Sequence, residues 1–166
     1  MSINAYQPHV LILPEDDADA DIARGFVQHL SVSSRYIQIL PVCGGWLKVL
    51  SQFESDHAGR MRQFPQRQMI LLIDFDNEGE HRLSYTRERI LPEVSERVFI
   101  LGPRKDPQEL KRQLGEKSFE TIGKTLAEEC NQNRFDLWND PLLRHNLNEV
   151  ERLQNRVKSI VFRQQQ

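Results

Sequence analysis

MILLIDFDNEGEH, residues 69 to 81, is an apolar run that ends in Asp74 and, one residue later, Asp76. Met69 to Ile73 offers no polar face, which fits a strand covered on both sides in a parallel sheet. The two acids then leave its carboxyl end. In open α/β sheets that edge is where ligands bind, so paired carboxylates there form a candidate cation site. Asn77, Glu78 and Gly79 complete a polar turn into the next helix. Acids after a strand also serve simply to turn the chain and cap a helix, so the rest of the chain has to decide between the two readings.

A second strand end supplies the missing part. His9 to Leu13 (HVLIL) reads as the first strand, stopped by Pro14, with Met1 to Gln7 as a short unpacked lead. Glu15, Asp16, Asp17, Asp19 and Asp21 follow. Asp16 or Asp17 suits a helix N-cap, and acids are favoured beside the positive end of the helix dipole, yet that accounts for only some of them. The helix is expected from about Ala18 to Leu30, with Ile22, Phe26, Val27 and Leu30 on its apolar face.

Tyr36 to Val42 (YIQILPV) reads as the second strand, and Cys43, Gly44 and Gly45 as a turn into a helix that begins near Trp46. Consecutive glycines let the backbone approach a bound anion, although most such pairs are plain turns. Phe53 to Gln68 is polar and reads as a helix end and loop, with His57 as a solvated loop residue. Glu80 to Ile90 is a charged helix, and Arg97 to Leu101 (RVFIL) a fourth strand that exits through Gly102, Pro103, Arg104 and Lys105. Helices are expected over 108–114 and 119–130. From Pro141 to Phe162, Leu143, Leu147, Val150, Leu153, Val157 and Ile160 recur at helical spacing, as core or as a docking face.

Four short apolar strands alternating with helices predict an α/β sandwich with a mainly parallel sheet of at least four strands. Residues 1–115 form the α/β domain, and 116–166 a helical extension packed on it. The ends of the first and third strands then share one edge, where Glu15, Gly44, Gly45, Asp74 and Asp76 gather. Carboxylates brought together repel and rise in pKa unless a cation shares them. Hard oxygen ligands of this kind suit Mg²⁺ or Mn²⁺.

Composition narrows the classes. The chain has 166 residues, enough for one domain that buries roughly two-thirds of its unfolded surface. No apolar run approaches the roughly 20 residues of a membrane span, and no secretory signal is visible at the N-terminus. Cys43 and Cys130 are too few for a disulfide framework and too isolated for zinc, which fits a reducing cytoplasm. The formal net charge of −2 gives no general attraction to nucleic acid, so such binding requires a local basic patch or a metal bridge.

These residues together resemble the Toprim domain of topoisomerases, bacterial primases and overcoming-lysogenization-defect nucleases. Glu15 after HVLILP corresponds to the family's strand-end glutamate, Asp19 to the acid that often follows it, and Asp74 with Asp76 to its Asp-x-Asp pair. Gly44 and Gly45 correspond to the glycine turn of the nuclease branch. The resemblance covers about Val10 to Leu110. Asp16 departs from it, standing where the family usually has glycine, and no topoisomerase or ATPase region is present. The resemblance implies a Rossmann-like Toprim sandwich and metal-assisted phosphodiester hydrolysis. Glu15, Asp19, Asp74 and Asp76 would be the metal ligands, with Glu15 as ligand or general base. Arg104 and Lys105 would neutralise charge on the phosphate. Nucleic acid would be held weakly by the chain alone, and the C-terminal helix is a candidate dock for a protein partner. A non-catalytic Toprim or receiver-like module is the competing class. Receivers also carry acids after their first and third strands, but usually add Ser or Thr after the fourth and Lys after a fifth, where this chain offers Gly102 and no clear fifth strand.

Overall fold

The computed structural model describes residues 3 to 164. Strands β1 (His9–Pro14), β2 (Ile37–Ile39), β3 (Arg67–Leu72) and β4 (Val98–Leu101) form one all-parallel sheet in the order β2-β1-β3-β4. The architecture is Rossmann-like α/β, as the alternation of strands and helices predicts. Every residue of β1 is buried, which explains the unbroken apolar runs: alternate side chains enter two different cores.

On one face Val10, Ile12, Ile70, Phe99 and Leu101 pack with helices α1 (Asp17–Gln28), α7 (Phe119–Gln132) and α8 (Leu147–Val161). On the other, Leu11, Leu13, Met69, Leu71, Val98 and Ile100 pack with α2 (Trp46–Gln52), α3 (Ala58–Gln63) and α5 (Pro92–Ser95). Helix α4 (Gly79–Glu88) follows the acidic loop, and α6 (Pro107–Gln113) places Leu110 in the first core.

Three expectations need correction. The polar stretch after Phe53 is helical: α2 continues through a π-helical turn (Phe53–His57) into α3. Phe53, Ala58 and Met61 are buried while Glu54, Asp56, Arg60 and Arg62 face solvent, so an amphipathic helix hides inside a polar composition. Strand β2 is only Ile37–Ile39. Leu40 still donates to the Ile12 carbonyl, but Pro41 has no N–H to continue the ladder. Nor is the lead wholly unpacked, since Ile3 packs against the second core and the Tyr6 ring meets Phe64 edge-on; Met1 and Ser2 lie outside the described residues.

Helices α1 and α7 meet through glycine. A Cβ on Gly25 would come within 2.0 Å of the Glu120 carbonyl oxygen, and one on Gly123 within 1.9 Å of that of Ile22. The apolar stripe of α8 is core, with Val150, Leu153, Val157 and Val161 buried, so a partner would meet the polar face of this helix. Helix α8 also closes the outer edge of β4. The buried Glu149 carboxylate accepts from the Ile100 amide at 2.9 Å, and the Asn146 side chain accepts from the Gly102 amide at 3.2 Å.

Candidate metal centre

Chain order and sheet order define the site. From β1 the chain moves to β2 on one side, then crosses to β3 on the other, so the connections diverge between β1 and β3. A crevice opens at such a reversal, outside the carboxyl ends of the two strands. Glu15 directly follows β1, and Asp74 lies two residues beyond β3.

Glu15 is held from both sides. Its amide donates to the Leu72 carbonyl, its carbonyl accepts from the Gly44 amide at 2.8 Å, and its Oε2 accepts from the Asp74 amide at 2.6 Å. Gly44 has φ +90° and Gly45 φ +157°, so the glycine turn predicted beside this edge does lie against Glu15 in a conformation that suits glycine. Asp16 is the N-cap of α1, accepting from the Asp19 amide at 2.9 Å. That cap turns Asp19, in the first helical turn, inward, where it is 2% exposed.

One carboxylate oxygen from each of Glu15, Asp19 and Asp74 lies within 4.8 Å of the others. Asp19 Oδ2 and Asp74 Oδ1 are buried and have no hydrogen-bond partner among the described residues. Burial pushes Asp74 up to about 8; the Asp19 carboxyl beside it opposes the rise, and the neighbouring Asp16 and Glu15 charges add to it. Asp19 is raised well above the carboxylate range, by burial first and then by the Asp74 and Asp16 charges. Glu15 is raised by burial, against the pull of the Asp74 and Trp46 amides. Without a cation the Asp19–Asp74 pair therefore keeps a proton at neutral pH.

Asp76 stands apart from this cluster. Its backbone is left-handed at φ 47°, and its side chain, 69% exposed, faces Arg82 Nη2 at 3.6 Å. Arg104 is exposed and Lys105 half-buried. The Arg104 carbonyl accepts from the Asn77 amide at 2.7 Å, which ties the loop after β4 to the acidic loop. Arg104 also lines a crevice of about 840 Å³ with Asn77, Arg144 and His145, two of which come from the C-terminal segment.

Sequence reasoning missed Arg82 and Trp46. Arg82 donates Nη1 to the Asp74 carbonyl and Nε to Glu78 at 3.2 Å, and lies over the Trp46 ring at 4.9 Å. The Glu78-to-Arg82 spacing of four looks in sequence like an ordinary pair on a helix surface. Burial and the Glu15 charge push the neighbouring Cys43 thiol up to about 11, so it is protonated at neutral pH. Comparison with family models, with curated proteins and with solved structures finds no match to this chain.

Proposed function

We propose that this protein is a Toprim-like, Mg²⁺- or Mn²⁺-dependent phosphodiester hydrolase acting on nucleic acid. The observation that carries the proposal is the gathering of Glu15, Asp19 and Asp74 at the switch point with two buried carboxylate oxygens unpartnered. Such oxygens are costly unless something shares them, and the all-oxygen donor set fits a hard divalent cation better than zinc. Asp19 and Asp74 would hold it. When bound, the cation would neutralise phosphate charge and lower the pKa of a coordinated water.

The chain's own groups do the rest. The Asp74 amide fixes Glu15 Oε2, so the glutamate enters the reaction already oriented. Its raised pKa brings it towards the operating pH, which suits a group that accepts a proton from attacking water. Arg104, on the loop bonded to the acidic loop, would offset charge as it builds on the phosphate, with Lys105 beside it. Asp76, paired with Arg82 at the surface, has no assigned ligand role in this reading.

A second reading, a non-catalytic metal-binding module that serves a larger nuclease or ATPase system, is favoured by Arg82. This arginine is committed to the Asp74 carbonyl, Glu78 and Trp46, and is not free for phosphate. The test is incubation of the purified protein with single- and double-stranded DNA and with RNA, in Mg²⁺ or Mn²⁺. Weak cutting that EDTA stops and Glu15→Gln abolishes in a folded protein is the expected result. Metal binding with no cutting of any substrate would replace the hydrolase with the module.

A further inference from the structure

The end of the sheet opposite the carboxylates holds a cation that forms no ion pair among the described residues. Arg67 opens β3 and is 8% exposed, and its Nε donates to His9 Nε2 at 2.9 Å. His9 is fully buried, and its Nδ1 donates to the Gln7 carbonyl at 2.7 Å, so the tautomer that leaves Nε2 as an acceptor is fixed. The guanidinium lies over the Phe64 ring at 4.9 Å, and Tyr6 meets that ring from its other surroundings at 5.5 Å. The arginine is thus held and aimed by its neighbours. Its two Nη nitrogens nevertheless donate to nothing among the described residues.

No carboxylate among the described residues forms an ion pair with Arg67. Burial first, and then the like charge of Arg60, hold the Arg67 guanidinium below its ordinary range. Arg97 adds a further cation beneath, committed to the carbonyls of Met61, Phe64 and Arg67. His57, at the end of the π-helical turn, is influenced by both Arg60 and Arg67, and burial keeps it neutral and able to donate. The single acid felt there, Asp56, acts on His57. His57 ends the π-helical turn and Arg60 stands three residues on in α3, a spacing that makes them neighbours along one helix face. The stem and Nε of Arg67 are held inside while its two Nη groups reach the surface, where they form an open fork matched to two oxygens of an anion.

We propose that Arg67, with Arg60 and His57, binds a phosphate-type oxyanion at the amino edge of the sheet, at a site separate from the carboxylate cluster. The phosphate would come either from a small molecule or from a nucleic-acid backbone, and the two sources are separable. Titration calorimetry in EDTA and at constant ionic strength would use inorganic phosphate and, in parallel, an unmodified oligonucleotide. Saturable binding of inorganic phosphate assigns a small ligand; binding of the oligonucleotide alone assigns the backbone. In either case Arg60→Ala, at an exposed position, should weaken binding about tenfold, the scale of one charge-assisted hydrogen bond. Arg67→Lys, which keeps charge but loses the fork, should weaken it further. Asp74→Asn should leave it unchanged, which separates this site from the metal centre whatever becomes of the hydrolase reading. Absence of binding by both probes, affinity unaltered in Arg60→Ala, or loss of binding in Asp74→Asn would overturn the proposal.

Discussion

Burial moves Asp74 from an ordinary 3.8 to about 8, and folding stability inherits the shift. The unfolded chain releases this proton near 3.8 and the folded chain near 8, so between those values the folded state binds more protons. The contribution of this carboxyl to stability should therefore be greatest below about pH 4, fall as pH rises to about 8, and level off beyond. Denaturant unfolding in EDTA across that range should show the decline, and Asp74→Asn should flatten much of it. Asp19 moves in the same sense, so a residual slope remains in that variant. Mg²⁺ or Mn²⁺ should reverse the trend, because a cation binds the ionised pair and stabilises the only state that presents it. In thermal unfolding, Asp74→Asn should remove the cation-induced shift and Asp76→Asn should preserve most of it; equal losses would put Asp76 into the site. The strand-end positions of Glu15 and Asp74 were legible because an apolar run that stops at an acid marks a strand end. The outward turn of Asp76 was not, because it follows from a left-handed backbone at φ 47° that no spacing rule encodes.

Between α1 and α7 the glycines reverse a usual expectation. Replacing a glycine inside a helix with alanine ordinarily favours the helix by about 1 kcal/mol. Here the added methyl group meets backbone at about 2 Å on either helix, so Gly123→Ala and Gly25→Ala should lower stability by about 1–3 kcal/mol or more. A reduced melting temperature checks this, and an unchanged or higher one would mean that the helices can separate freely. The strands were readable from uninterrupted apolar runs, and α8 from its spacing. What escaped was contextual. The α2–α3 helix buries few residues among many charges, and Gly25 and Gly123 gain meaning only when the two helices face each other, although they lie far apart in sequence.

As a whole the molecule carries a net charge of −2, with Glu15, Asp19 and Asp74 gathered at one end of the sheet and Arg60, Arg67 and Arg97 at the other. Nucleic acid held at the carboxylate end should make few phosphate contacts. The logarithm of its affinity should fall with that of salt concentration by no more than about 0.9 per contact, a slope of roughly 3 or less. Binding titrations at several salt concentrations with Mg²⁺ present measure it, and a steep slope would reveal a basic surface engaged elsewhere. The order of the sheet was open to sequence reasoning only as parallel alternation; that the connections diverge between β1 and β3 had to be seen. The seal that α8 places on β4 bears on self-association. Free strand edges template one another into aggregates, and here the Ile100 and Gly102 amides already have side-chain partners in Glu149 and Asn146. The opposite border is β2, three residues long and followed by Pro41, too brief to seed a growing ladder. The fold thus guards against stacking into fibrils by plugging one border and truncating the other, and Glu149→Ala would unplug the longer of the two.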